Sequence, residues 1–428
     1  MLLLTVLVLA GCAGFMAMIA GEQMKSRADD AFDMIERAGL TLMSEAESAL
    51  LRVNELPRSA QHTAIPQNTQ GMATPVPRAH GATTFTLAAA GTIHAPKAVR
   101  GGALTEAGEY DFSAVFAGLG DVLAQADLAI ATLETTIAGE KKGYGSYNAP
   151  SQLLAALRER GIDLLSLSTE RALDKGGDGL EITLFELTAH GIAHAGIAQP
   201  TAAAGSTDLI GIGGVQVAVL AYTYGLSGEG KNAAGEDERA LVKLLDMDRM
   251  ERDIRQARAD GANVVIVLPH WGTKNKQETP EEMKAMARAL AKAGADVILG
   301  THPNVVQGTE RLKVVRADGL EYETVVCYSL GSLLTDARTE ENTAGMIAHL
   351  PITYDPQTRR VSLGSLACSP VYIAMQKEEG ESVFRVIDVE NAQALSTLTE
   401  SEQEEALRAA KRVREITGQS EMEEEGQG

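Results

Sequence analysis

From Phe85 onward, short and almost wholly apolar runs alternate with longer segments whose apolar residues recur at helical spacing. The runs FTLAAAG, DLAIATLE, IDLLSLS, VQVAVLAYTYG, NVVIVLPHWG and DVILGTH read as buried strands. SQLLAALRERG, ITLFELTAHG, LVKLLDMDRMERDIRQARADG and PEEMKAMARALAKAG read as helices, most of them closed by the glycine expected just past a helix end. This alternation predicts a parallel or mixed sheet with helices on its outer faces. After residue 320 the pattern changes to strand-like runs, YETVVCYSLGSLL, GMIAHLPITYD, RRVSLGSLACSPVYIAM and VFRVIDV, which predict a second sheet packed on the first. Residues 391–418 read as a closing helix and EMEEEGQG as a solvated acidic tail.

The segment before Phe85 differs. Residues 2–20, LLLTVLVLAGCAGFMAMIA, carry no charge and are long enough to cross a bilayer core of roughly 30 Å. They predict a membrane anchor. Within them LAGC, ending at Cys12, is similar to a bacterial lipobox, so a lipoprotein is the alternative and a buried helix a third reading. The missing basic residue before the run, and its continuation past Cys12, favour the anchor. Lys25 and Arg27 follow the span, which taken alone places the following domain in the cytoplasm. Helix-like spacing from Phe32 to Leu51 suggests a juxtamembrane helix. The Pro-, Gln- and Thr-rich stretch after it reads as a linker. The expected organisation is an anchor over 1–24, a juxtamembrane helix over 25–54, a linker over 55–84, the main domain over 85–390, and a helix and tail over 391–428.

Composition narrows the partners. The 428 residues carry a formal charge of −20, which argues against general affinity for nucleic acid or anionic lipid. Aromatics are only 4%, so Ala, Leu, Val and Ile must fill the core. Of the three cysteines, Cys327 and Cys368 lie in the domain and read as structural thiols; no spacing suggests a zinc ribbon. GLGD, GGDG and GGVQ lack the strand–GxGxxG–helix context of a dinucleotide site, and Ser329 lacks the GxSxG elbow.

Ligands of open α/β sheets gather at the carboxyl ends of the strands. Those ends read GTIH (Gly91 to His94), TLETT (Thr132 to Thr136), STER (Ser168 to Arg171), PHWG (Pro269 to Gly272) and GTHPN (Gly300 to Asn304). Histidines and glutamates at successive strand ends suit a metal site or an acid/base site. His270 and His302 are the most suggestive, because each directly follows an apolar run.

The order of these loops resembles the bacterial capsule-synthesis CapA family, also called the poly-γ-glutamate synthesis PgsA-like family. The resemblance runs from about Phe85 to Ile373. It includes YDFSAVF, DLAIATLETTIAG, GYGSYNAPSQLLAALRERGIDLLSLS, ALDKGGDGLEITLFELTAHGIAHAG, HWGTKN, LAKAGADVILGTHPNVVQGTE and YSLGSLL. It implies a metallophosphoesterase-like (calcineurin-like) α/β/β/α sandwich of two packed sheets, preceded here by the anchor and linker. It also implies a role in capsule or poly-γ-glutamate synthesis or export. The main domain would then lie outside the cell membrane, against the charge pattern around residue 25. Partners would be an anionic envelope polymer or capsule-synthesis membrane proteins.

Set beside the family pattern, Thr92 stands where an Asp is usual, with His94 keeping an Asp-x-His spacing. Thr132 precedes Glu134 in place of Asn. Ser168-Thr169-Glu170-Arg171 replaces Ala-Asn-Asn-His, with Asp174 retained. Lys274 replaces an acidic residue, and Asn304 replaces the second histidine of His-Pro-His. The remaining ligand set is Glu134, His270 and His302, with His94 or Glu170 as the alternatives for a further ligand, enough for one zinc or manganese but not for a two-metal site. His270 and His302 would carry catalysis if the site is active. Arg171 and Lys274 bring positive charge where a cation would sit, and with Asn304, Thr92, His94 and Glu170 they form the candidate ligand-binding set. Two functions follow from the resemblance. One is a membrane-tethered binding or scaffolding member with a degenerate metal site and no cofactor. The alternative is a single-metal hydrolase or transferase acting on phosphate or amide bonds.

Overall fold

The structure is a computed structural model that describes residues 81–198, 209–378 and 380–419. The expected anchor, the juxtamembrane helix, nearly all of the linker and the acidic tail lie outside the described residues. Among the described residues no helix is long and apolar enough to cross a membrane.

The chain builds one sheet, then a second, then returns to the first. The first sheet begins with β1 (Thr83–Ile93), β2 (Leu128–Leu133), β3 (Leu164–Ser166) and β4 (Ala193–Ala195), all parallel. The second sheet takes β5 (Leu209–Ile212), β6 (Val215–Thr223), β7 (Val264–His270), β8 (Val297–Leu299), β9 (Thr309–Val315) and β10 (Glu321–Cys327), in the order β5-β6-β7-β8-β10-β9. Its four central strands are parallel and its edge strands antiparallel. Then β11 (Ser332–Leu334), β12 (Ala344–Asp355), β13 (Arg360–Leu363), β14 (Ala367–Glu378) and β15 (Glu381–Asp388) complete the first sheet, whose main order is β15-β14-β12-β1-β2-β3-β4.

Strand alternation creates four layers. In β1, Ala88, Ala90 and Ile93 face a helical layer that includes α1 (Gln152–Glu159) and α2 (Gly176–Ala189), while Phe85, Leu87 and Ala89 face the other sheet. In β6, Val215 and Val217 face inward, and Ala218, Leu220 and Tyr222 face α3 (Met247–Ala259) and α4 (Glu281–Ala293). The result is the expected α/β/β/α sandwich. The helix α5 (Glu400–Thr417) is capped by Thr399 and Glu402 as a capping box, and it closes one edge of the inter-sheet core with Ala406, Ala409, Ala410 and Val413. Cys327 and Cys368 are free and buried in that core, and burial raises both thiols.

Two expectations need correction. The strands after residue 320 do not form a sheet of their own. β10 joins the second sheet, and β12 pairs antiparallel with β1 from Thr83↔Tyr354 to Ala89↔Ala348. Alternation shows that a segment is a strand but not which edge it will cover, and β1 offered an unpaired edge buried between two layers. The segment read as a helix from Leu241 begins its helix only at Met247, because Asp246 caps it by accepting from the Arg249 amide at 2.7 Å. Val242 and Leu244 instead bridge to Ile197 and Thr223 as extended chain.

Candidate functional site

The carboxyl ends of β1, β2, β3, β7 and β8 converge, and of the nine sequence-derived site residues Thr92 and His270 lie in the last residues of β1 and β7 and the other seven on the loops that follow. Close backbone approach sets the geometry. A Cβ on Gly91 would meet the Gly331 carbonyl oxygen at 2.2 Å, and one on Gly300 would meet that of Tyr328 at 2.0 Å, so both positions require glycine. Gly91 brings Thr92 against β11, where the Thr92 amide donates to Gly331 O at 3.0 Å. Gly300 lets the next residue, Thr301, bridge to His270 as an extension of β7.

His270 is the centre. Its Nε2 lies 2.7 Å from Glu170 Oε2 and its Nδ1 3.0 Å from Thr301 Oγ1, with the ring 1% exposed. A carboxylate only accepts, so the partners assign the proton to Nε2 and leave Nδ1 to accept from the threonine hydroxyl. His302 Nδ1 stands 3.6 Å from the same Glu170 oxygen, beyond hydrogen-bonding distance, and its ring meets that of His270 edge-on at 4.8 Å. Ligand atoms of Glu170, His270 and His302 all lie within 4.8 Å of one another, and all three residues are buried. Glu134, which the sequence suggested as the third ligand, sits beside this group. Its Oε2 is 3.0 Å from His94 Nε2, a contact poorly aligned for a hydrogen bond, and 3.6 Å from His270 Nε2.

Lys274 joins the two glutamates. Its Nζ is 2.8 Å from Glu170 Oε1 and 3.2 Å from Glu134 Oε1. Burial by itself pushes the Glu170 carboxyl up, but the histidines and the Lys274 ammonium outweigh it and hold the group well below the usual carboxylate range. Glu134 follows the same pattern: burial raises it, His94 and His270 lower it, and the net shift is down. Lys274 pays a burial penalty of its own, yet the two carboxylates raise it above the ordinary lysine value. Burial keeps His302 neutral by lowering it, more than Glu170 restores. Arg171 stacks over Tyr147, with the guanidinium 3.7 Å from the ring centre, and its Nη1 reaches Asp174 Oδ2 at 3.4 Å. Three buried carboxylates, Glu134, Glu170 and Asp174, thus face two cations.

Several polar atoms here have no hydrogen-bond partner: Thr92 Oγ1, Arg171 Nε, His302 Nδ1 and Asn304 Oδ1 are all buried. His302 and Asn304 also hold left-handed backbone angles, φ 96° and 59°, which cost non-glycine residues about 1–3 kcal/mol each. Buried Asn342 secures this strain. Its Nδ2 donates to Asn304 O at 2.9 Å and to Asn275 Oδ1 at 3.0 Å, tying the His302 loop to the Lys274 loop.

As these side chains stand, a divalent ion at Glu170, His270 and His302 would have to displace the Lys274 ammonium. The ammonium of Lys274 already contacts both carboxylates and balances one of their two charges, and His270 Nε2, the ring nitrogen facing Glu170, donates to it. Sequence reading missed Asn342, which is remote in the chain, and two aromatics. Tyr224, half-exposed, packs on His302 at 4.5 Å between ring centres, and it follows the end of β6, where the strand-end rule applied to AYTYG would have found it. Tyr147 lies in a loop with no such signal. Trp271 is a packing residue, its Nε1 donating to Tyr328 O at 2.9 Å.

Residues 86–337, more than half of the chain, match the family model described as "Bacterial capsule synthesis protein PGA_cap". The chain is 26% identical over 192 residues to the capsule biosynthesis protein CapA of Bacillus anthracis, covering 44% of each. It is 27% identical over 181 residues to the PGA biosynthesis protein CapA of Bacillus subtilis (strain 168), covering 42% of this chain and 44% of that one. The match therefore spans less than half the length of either relative. Among solved structures, a Mycoplasma pneumoniae phosphatase aligns at 12% identity and TM-score 0.36, covering 68% of this chain and 94% of its own. A calcineurin-like phosphoesterase from Bacillus subtilis aligns at 12% and 0.36, covering 78% and 99%. Likeness at that level carries no argument about chemistry. By the family match, this chain belongs to the bacterial capsule synthesis family.

Proposed function

We propose that this protein serves the assembly or export of an anionic capsule polymer of the poly-γ-glutamate kind, as a binding or scaffolding member rather than a metal-dependent hydrolase. The pairing of Lys274 with both Glu134 and Glu170 carries this reading, because it gives the strand-end site its cation from within the chain. Arg171 Nε, His302 Nδ1 and Asn304 Oδ1, which make no hydrogen bond, and the left-handed backbone of the last two residues support a polar ligand at this place. With a chain charge of −20, polymer binding must be local, through Arg171 and its surroundings, and not driven by the overall field. The uncharged run over residues 2–20 supports tethering to the cell membrane, with the main domain outside and lipidation of Cys12 as the alternative. Partners would be the polymer and the membrane proteins that make it.

The test is fluorescence polarisation of labelled poly-γ-glutamate with the full chain, alongside phosphoester hydrolysis with added zinc or manganese. Salt-sensitive binding, weakened in Arg171→Ala, with no turnover, is the expected outcome. Binding that is equal in both proteins and indifferent to salt contradicts it. A second reading, a single-metal hydrolase or transferase, draws on the mutual reach of Glu170, His270 and His302. Metal-dependent turnover lost in His270→Ala would select that reading.

A further inference from the structure

We propose that Lys274 is a built-in cation standing where a divalent ion would be held, and that Glu170, His270 and His302 form a one-ion site that its side chain keeps shut. This inference rests on the reading above, that the resident site works without metal, and adds what controls it.

The stoichiometry of charge and ligand leads there. Two fully buried glutamates cannot share a pocket ionised without a compensating cation. One comes from a loop: Lys274 follows β7 by four residues, and its side chain is about one-third exposed, whereas both carboxylates are buried. A lysine on a flexible four-carbon stem is a point charge that can leave, unlike an arginine locked in a fork. Two imidazoles and one carboxylate within mutual reach are a ligand set of the zinc class, with a fourth position open. What excludes an ion is the ammonium 2.8 Å from Glu170; the proton on His270 Nε2 can pass to Nδ1, where Thr301 Oγ1 accepts it, when a metal takes Nε2. Removing the ammonium removes the repulsion and leaves the carboxylates in need of a replacement.

The experiment is a titration of the full chain with zinc and with manganese, read by competition with a chromogenic chelator and by thermal melting. Wild type should take up no stoichiometric ion at micromolar free metal. Lys274→Gln should bind one equivalent at least about 100-fold tighter, the scale expected for removing one unit charge from contact distance, and its melting temperature should rise with metal. Lys274→Gln combined with His302→Ala should lose that gain. Should Lys274→Gln alone not fold, the double variant Lys274→Gln, Glu134→Gln removes one charge of each sign and keeps the three ligands. It must then bind one equivalent. Folded variants that take no ion overturn the inference and leave the metal-free reading standing. A wild-type chain that binds an ion as tightly as Lys274→Gln overturns both.

Discussion

Buried carboxylates occur at both ends of the strands, and the two ends treat them differently. At the amino ends, Asp163 and Asp296 follow one design. Asp163 accepts from Arg158 at 2.6 Å and from the Ala129 amide of the neighbouring strand at 2.9 Å. Asp296 accepts from Arg258 at 2.5 Å, Arg316 at 3.1 Å and the Val265 amide at 2.9 Å. Each acid immediately precedes a strand, one arginine partner comes from the last turn of a helix, and an amide of the neighbouring strand donates to the same carboxylate, on the other oxygen in Asp163 and on the oxygen shared with Arg258 in Asp296. At the carboxyl ends, Glu134 and Glu170 have histidines and one part-exposed lysine, beside atoms without a hydrogen bond and strained backbone. One end uses charge to lock strands together. The other holds charge in a form that can be exchanged.

The sharpest way to break this contrast is to remove one charged partner from each end. Asp296→Ala leaves two arginines and a buried amide uncompensated and should cost about 3–5 kcal/mol in denaturant unfolding, with polymer affinity per folded molecule unchanged. Lys274→Gln should cost less, about 1–3 kcal/mol without metal, because the lysine is part-exposed and its partnership already screened. Equal losses at the two sites would erase the distinction.

Acid adds a finer test. Glu134 and Glu170 ionise more readily in the folded chain than at the ordinary value of 4.5. Their stabilisation is therefore complete above about pH 4.5 and is lost as pH falls below it through the folded values. Lys274→Gln removes part of the depression at Glu170, so its acid transition, followed by circular dichroism, should begin at higher pH than that of wild type. The smallest effect is expected from Asn342→Ala, about 1 kcal/mol, with faster hydrogen exchange confined to residues 273–276 and 301–305 and weaker polymer binding. Exchange spread across the sheet would instead make Asn342 an ordinary packing residue.

How much of this the sequence discloses follows from the range of each interaction. An apolar run ending in a polar residue locates a strand end, so His94, Glu134, His270 and His302 can be placed by counting along the chain. Partnership is another matter. That Glu170, not Glu134, shares its oxygen with both central histidines depends on how the loop after β3 turns, with the Ser227 amide donating to Glu170 O at 2.7 Å from 57 residues away. That β12 returns to β1 depends on which edge is left open by earlier strands. Asn342 acts across 38 and 67 residues, and no local pattern marks it. The positive charge of Arg171 and Lys274 was legible, but its direction was not. Both cations turn toward carboxylates of this chain, so Arg171 meets a ligand with Asp174 already beside it and Lys274 is held by Glu134 and Glu170.

The measurement that bears most directly on this account is the metal content of the wild-type full chain after incubation with zinc and manganese and removal of free metal, by inductively coupled plasma mass spectrometry. Lys274 in the cation's place predicts no stoichiometric metal. One tightly held ion per chain, lost in His270→Ala, would contradict it.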